Sequence, residues 1–163
     1  MKVELYHASK YGNGAQAAEE FRKLMTTRGH SVEVHNIDEA KPKEIPQADL
    51  YVFGSPTRLG KPIGGMRHFL KKVELPSGTK YAIFATYLGA KPDNKTGKMP
   101  TTDELANWQR SIPIMNEILT SKGMVKVAEM PLFVVEMKGP LEEGWQKKVE
   151  DFVAEILSSS KLH

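Results

Sequence analysis

Five short apolar runs alternate along the chain with stretches whose apolar residues recur at helical spacing. The clearest run is 50–53, an unbroken apolar segment typical of a strand that is buried on both faces of a parallel sheet. Strands that alternate with helices are joined by right-handed crossovers, which place helices on both faces of the sheet. The alternation therefore predicts an α/β fold, a three-layer αβα sandwich around a five-stranded parallel sheet.

The same pattern predicts the bounds of the elements. Strands are expected at 3–6, 31–37, 50–53 and 81–86, and within 125–135. Helices are expected at 15–25, 66–73, 104–121 and 145–157. Pro113 is expected to kink the third helix, because proline has no amide hydrogen and clashes with the preceding turn.

Composition limits the class of protein. A chain of 163 residues with 40% hydrophobic residues is suited to one domain, 1–163, with a sizeable core. The absence of cysteine excludes disulfides, thiolate metal sites and cysteine nucleophiles. No segment is apolar over the length that a membrane span needs, and the first residues do not resemble a secretory signal. We therefore expect a cytoplasmic protein without a membrane span.

The charge is mildly basic, with a formal net charge of +3 and a pI near 9.0. The lysines are spread along the chain rather than clustered, so the sequence gives no indication of nucleic-acid binding. The charge predicts a mild preference for acidic partners.

The junction 9–14 lies where the first strand turns into the first helix. The first amides of a helix have no intrahelical acceptor and carry the positive end of its dipole, so they bind phosphate well. Gly12 and Gly14 allow the backbone to approach an anion closely, while Ser9 offers a hydroxyl and Lys10 a charge. The junction predicts a ligand that ends in phosphate.

The loops that follow the first, third and fourth strands are rich in Gly, Pro, Ser and Thr. They comprise 7–13, 54–60 and 87–99. Because ligands of such sheets lie at the carboxyl ends of the strands, we expect these three loops to meet at one edge. His7 is the only histidine near that edge, and we expect it to pack rather than to bind a metal.

Two motifs resemble the flavodoxin family, whose members bind FMN non-covalently. They are Ala8-Ser9-Lys10-Tyr11-Gly12-Asn13 and Phe53-Gly54-Ser55-Pro56-Thr57, the latter followed by Gly60-Lys61-Pro62. The resemblance covers nearly the whole chain, since Lys138-Gly139-Pro140-Leu141 with Glu143-Gly144 before the last helix is also similar to flavodoxins. It implies the short-chain flavodoxin fold, with strand order 2-1-3-4-5. It implies that the phosphate is held by the first loop, Ser9, Lys10, Tyr11, Gly12, Asn13 and Gly14. It also implies that two groups flank the isoalloxazine ring. One group is Ser55, Pro56, Thr57, Arg58, Leu59 and Gly60, and the other is Thr86, Tyr87, Leu88 and Gly89.

The chain departs from the family pattern at both ends of this site. Flavodoxins usually have Thr or Ser at three positions of the phosphate loop, and here only Ser9 carries an aliphatic hydroxyl. We therefore expect weaker retention of FMN. Tyr87 is the only aromatic residue expected near the ring, because Trp108 and Trp145 are predicted to lie on helices away from the ligand edge.

Other motifs compete with this interpretation. Residues 12–17 fit the dinucleotide fingerprint G-x-G-x-x-A, with Asp38 as the ribose-binding acid, but the fingerprint should follow its strand almost directly. Residues 54–61 resemble a Walker loop with one residue too many and Pro62 in place of the magnesium-binding hydroxyl. Both are disfavoured.

Three functions follow from the resemblance. The leading hypothesis is an electron carrier that takes one or two electrons from a reductase to an acceptor protein. The second is an FMN-dependent NAD(P)H:quinone or protoporphyrinogen-type oxidoreductase, in which an open ring face admits a quinone-like substrate. The third is a flavodoxin-like binding module that has lost FMN.

Overall fold

The computed structural model describes residues 1–9 and 11–161. Its strands are β1 (Lys2–His7), β2 (Ser31–Asn36), β3 (Leu50–Arg58), β4 (Lys61–Pro62), β5 (Lys80–Leu88) and β6 (Val125–Val134). Its α-helices are α1 (Asn13–Thr27), α2 (Gly64–Lys72), α3 (Thr102–Trp108), α4 (Ser111–Ser121) and α5 (Trp145–Lys161). A single 3₁₀ turn, Ile37–Glu39, follows β2. Within the described residues, every helix is too short or too polar to cross a bilayer.

The five long strands form one sheet in the order β2-β1-β3-β5-β6, and each neighbouring pair is parallel. The two-residue strand β4 pairs antiparallel with the end of β3. Numbered among the long strands alone, the order is 2-1-3-4-5. The predicted fold class and strand order are confirmed.

The first residues of the central strand β3 are apolar without interruption because both faces of the strand are buried. Val52 packs into a core cluster with residues of α1 and α5, among them Phe21 and Phe152. The next residue, Phe53, packs into a second cluster on the opposite face, with Met66 of α2 and Met115 of α4. Both faces of the strand are therefore buried, and alternation with polar residues would have put a polar side chain in one of the cores.

The predicted third helix, 104–121, is wrong as a single element. The structure has two helices there, α3 and α4, separated by Gln109 and Arg110. Pro113 does not kink a continuous helix, because it lies in the first turn of α4, where a missing amide hydrogen breaks no intrahelical bond.

The segment after residue 53 is also more regular than the predicted loop 54–60. Strand β3 continues to Arg58, turns at Leu59 and Gly60, and returns as β4. Both turn residues have positive φ, 52° at Leu59 and 78° at Gly60, as a two-residue hairpin turn requires. Strand β5 likewise runs two residues beyond its predicted end at 86. The end of β3 leaves the parallel sheet as this hairpin, whereas the end of β5 stays paired with β6, and the two form facing walls of a cleft.

Candidate functional site

A cleft of about 680 Å³ opens at the carboxyl ends of β1, β3 and β5. This volume falls within the range of about 300–1,000 Å³ that is usual for small-molecule and cofactor sites. Residues from all three predicted loops line it, and so do residues of α3 and of the segment after β6. The predicted site residues in the lining are Ser9, Tyr11, Asn13, Gly14, Pro56, Thr57, Arg58, Leu59, Gly60, Thr86, Tyr87, Leu88 and Gly89.

The start of α1 forms the polar end of the cleft. Gly12 is the N-cap residue, with φ of 87°, and lies just outside the lining. Among the described residues, no side chain caps this helix, so its first amide hydrogens remain without an acceptor from a cap. The Ser9 hydroxyl accepts a hydrogen bond of 3.1 Å from the Gly12 amide and can donate its own hydrogen. Lys10 falls outside the described residues.

Gly14 permits a close approach between α1 and the preceding loop. A Cβ atom placed on Gly14 would lie 3.3 Å from Cβ and 3.6 Å from Oγ of Ser9. A larger residue would therefore push the Ser9 hydroxyl away from the helix start. The glycine keeps the hydroxyl and the free amides within one small region.

His7, at the end of β1, holds the loop before α1 in position through a hydrogen bond. Its Nδ1 accepts a hydrogen bond of 3.2 Å from the Ser9 amide, which requires that nitrogen to be unprotonated. Burial lowers the pKa of His7 below its ordinary value, and the nearby Glu39 carboxylate opposes that effect only in part. His7 is therefore buried and also sets the position of Ser9 through this hydrogen bond.

The hairpin of β3 and β4 forms one side wall. The Thr57 hydroxyl is hydrogen-bonded to the Ser111 hydroxyl at 2.6 Å, which ties the hairpin to the start of α4. Leu59 at the tip is 94% exposed. Ser55 lies outside the lining, because its buried hydroxyl donates to the Pro56 carbonyl and accepts from the Ile63 amide.

The opposite wall is the end of β5, and it offers no open aromatic face. Tyr87 is only 4% exposed, and its hydroxyl accepts a hydrogen bond of 3.0 Å from the Ile112 amide. Its ring lies 5.9 Å from that of Phe133, within the core on the α4 side of the sheet. Tyr87 thus lies in the lining of the cleft, but the strand alternation turns its ring inward. That Tyr87 lies near a bound ring stays a prediction.

Trp108 lines the cleft, although it was predicted to lie away from it. The break after Trp108 lets α3 fold over the hairpin, where the Arg110 amide donates to the Gly60 carbonyl at 2.8 Å. A Cβ on Gly60 would lie 2.6 Å from the Asn107 carbonyl oxygen, so only glycine allows this contact. The start of α3 had a signal in the sequence, a capping box in which Thr101 and Glu104 satisfy each other ahead of the predicted start at 104.

Cationic and apolar groups dominate the lining. Arg58 and Lys91 are its charged members, and the described lining residues include no carboxylate. Lys91 forms an exposed ion pair of 2.9 Å with Glu136, just outside the cleft. An uncapped helix start at one end, and apolar walls along the rest, suit an elongated ligand with a flat apolar part and a terminal phosphate.

Comparisons with a family model and with solved structures both find flavodoxins. A family model described as Flavodoxin domain matches residues 5–133. A flavodoxin from the domain Archaea has a TM-score of 0.69 at 18% identity, covering 99% of each chain. Flavodoxin 1 from Bacillus cereus has a TM-score of 0.69 at 21% identity, covering 97% of this chain and 98% of that one.

A third solved structure contains the same fold within a longer protein. Rubredoxin oxygen:oxidoreductase from Desulfovibrio gigas has a TM-score of 0.73 at 16% identity, covering 99% of this chain but 36% of that one. At these identities the structural likeness establishes the fold alone. No protein of curated function matches the sequence at a significant level.

Proposed function

The chain belongs to the flavodoxin family, and from this membership we propose that it binds FMN in the cleft and carries one or two electrons between redox partner proteins. The observation that carries the proposal is the uncapped start of α1 at one end of a mainly apolar cleft. The extent of the domain, 1–163, and a cytoplasmic location stay predictions.

The phosphate of FMN would be held at the start of α1. The free amides beginning at Asn13 and the Ser9 hydroxyl are donors, and donors of this kind favour a dianion at a helix N-terminus. The close packing at Gly14 keeps these donors together, since a Cβ there would displace Ser9. The donor set therefore fits a phosphate monoester.

The flat ring would lie between the hairpin 57–60 and the end of β5. Bound there, the flavin supplies an acceptor for one or two electrons, while the protein orients it and excludes water. Leu59 and Trp108 supply the exposed apolar surface on the hairpin side, and backbone at Gly89 supplies the other. The buried Tyr87 leaves one ring face without an aromatic neighbour from β5.

The test compares two ligands that differ only by the phosphate. We expect purified protein to bind FMN with quenched flavin fluorescence, and Ser9→Ala to weaken FMN binding by about tenfold, because one charge-assisted hydrogen bond is lost. Riboflavin, which lacks the phosphate, should bind both proteins with similar affinity.

Ser158→Ala, on the exposed side of α5, is the matched control and should bind FMN as the unsubstituted protein does. Equal losses of FMN and riboflavin affinity in Ser9→Ala would show that the substitution acts on the loop in general. No binding of FMN at micromolar concentration would overturn the proposal.

A further inference from the structure

The mouth of the cleft is surrounded by exposed apolar side chains. Five of the eight large apolar residues that are exposed in the described chain lie in its lining: Tyr11, Leu59, Leu88, Trp108 and Met137. Met137 is 72% exposed and Trp108 is 55% exposed. Scattered apolar residues on a surface need no explanation, but a group collected at one opening is typical of an interaction site.

Leu59 is the most informative member of this group. Its φ of 52° is a left-handed conformation, which costs a residue other than Gly, Asn or Asp about 1–2 kcal/mol. Hairpin turns of this kind usually use Asn or Gly. The side chain is almost fully exposed, so packing within the chain does not compensate for the strain. Strain of this kind is retained at functional positions, where the side chain is needed for an external contact.

The excess positive charge of the chain lies in three segments that contribute residues to this mouth. The segments 56–62, 87–110 and 135–140 together carry seven Lys and Arg residues and four Asp and Glu residues. Their excess equals the net charge of the whole chain, +3, so the remaining residues are balanced. Arg58 and Lys91 reach the lining itself, where the described residues include no acid.

We infer that the apolar mouth is the docking surface for an acidic redox protein, which presents carboxylates around an apolar centre. Leu59, Trp108 and Met137 supply the contact that excludes water, since aromatic residues and Met are enriched in interface cores. Arg58 and Lys91 attract the carboxylates and orient the approach. The inference rests on the proposed function for its redox partner, but the contact itself does not require FMN.

The ion pair of Lys91 with Glu136 is compatible with such docking. Both side chains are at least half exposed, so the pair is screened by water and contributes little to stability. Lys91 can therefore exchange Glu136 for a carboxylate of the partner at small cost.

The experiment uses two small probe proteins of opposite charge. Plant-type ferredoxin is the acidic probe and cytochrome c is the basic one, and each is titrated into the ¹⁵N-labelled full chain with and without FMN. We expect ferredoxin to shift the amide signals around Leu59, Trp108 and Met137. Its affinity should fall about tenfold between about 20 mM and about 200 mM salt, because the charges at the rim are screened.

Substitutions separate charge from apolar contact. Arg58→Gln and Lys91→Gln should each weaken ferredoxin binding about threefold at low salt, whereas Lys71→Gln, at the far end of α2, should leave it unchanged. Leu59→Asn should also weaken binding while raising the unfolding temperature, because Asn tolerates the left-handed conformation. A simple folding defect would lower that temperature instead.

Three results would overturn the inference. They are preferential binding of cytochrome c at the mouth, ferredoxin shifts that map elsewhere, and losses at Arg58 no larger than those at Lys71. Failure of FMN to bind, with ferredoxin binding intact, would remove the proposed function and leave the docking surface standing. The reverse outcome would remove the docking surface alone.

Discussion

At the scale of the residue, the two glycines that flank the start of α1 are needed for different reasons. Gly12 has φ of 87° and open space around it, so a side chain there would be strained by the backbone alone. Gly14 has an ordinary backbone conformation, but a Cβ would lie 3.3 Å from Ser9. The same substitution at the two positions therefore has two different consequences.

We expect Gly14→Ala to weaken FMN binding about tenfold while leaving the unfolding temperature unchanged or higher, because Ala favours the helix by about 1 kcal/mol. Gly12→Ala should instead lower the free energy of unfolding by about 1–2 kcal/mol. Fluorescence titration and thermal melting measure the two effects. A stability loss in Gly14→Ala as large as that in Gly12→Ala would contradict this division.

His7 gives the stability of the protein a pH dependence with a defined sign. Burial holds its pKa in the folded chain below 6.5, so the unfolded chain binds more protons as the pH falls through 6.5. The stability that neutral His7 contributes is complete above that pH and is lost as the pH falls toward the lowered pKa. We expect the unfolding temperature to decrease between about pH 7.5 and about pH 5.5.

His7→Asn isolates this contribution, because it keeps an acceptor for the Ser9 amide and removes the titration. Its unfolding temperature should fall less over the same pH interval. His30 also has a pKa lowered by burial and by the N-terminal amine, so some slope should persist in the variant. Equal slopes in the two proteins would show that His7 does not titrate in this range.

The placement of two aromatic residues at the cleft, Tyr87 and Trp108, could not be predicted from the sequence. Tyr87 was expected near the ring of the ligand, but the direction in which its own ring points depends on the strand register, which the loop composition did not reveal. Trp108 was missed because its position depends on where one helix ends and the next begins. The positions of Ser9, Gly12 and Gly14 at the start of α1 could be predicted, because they follow from local chain geometry.

At the scale of the element, most of the architecture could be predicted. Each long strand and the helices on both faces follow from apolar periodicity, and their order follows from the family resemblance. The division of 104–121 did not follow, since Pro113 is compatible with a kink and with a first turn alike. A single helix that began at the capping box of Thr101 would carry Pro113 deep in its interior, where proline is disfavoured. The capping box therefore favours a second helix with Pro113 in its first turn.

The helix α3 should be the least stable wall of the cleft. None of its residues is buried, so it depends on its capping box and on the Gly60–Arg110 hydrogen bond. We expect Thr101→Ala to lower the local stability of α3 by about 1 kcal/mol, seen as amide exchange about fivefold faster over 102–108.

Global unfolding should be unaffected in Thr101→Ala, because α3 adds nothing to either core cluster. Thr79→Ala, which removes a turn hydrogen bond to Pro76 away from the cleft, is the control and should leave α3 exchange unchanged. Unaltered exchange in Thr101→Ala would show that the hairpin contact alone holds α3.

At the scale of the whole molecule, folding converts a dispersed set of lysines into a local field. Along the sequence the cations show no cluster, yet three segments distant in sequence meet at the cleft and bring the net excess with them. Charge patterning in the linear sequence could not show this, because the distances depend on the sheet order. The resulting potential acts on anything bound at the mouth.

If FMN binds as proposed, its midpoint potential is the most direct measure of that field. Full reduction places negative charge on the flavin, and a surrounding excess of carboxylates, usual in flavodoxins, makes that step more difficult. With Arg58 and Lys91 in the lining and no carboxylate among its described members, the second one-electron couple should be less reducing than in acidic flavodoxins.

We therefore expect Arg58→Gln to lower the second midpoint potential by about 10–40 mV at low salt, the size expected for one charge at several ångströms through partly aqueous surroundings. Lys71→Gln should shift it much less, because that side chain lies at the far end of α2. Added salt should reduce the difference between the two variants, since it screens exposed charges. Redox titration of the FMN-loaded protein measures all three, and equal shifts in both variants would mean that the local field at the cleft does not set the potential.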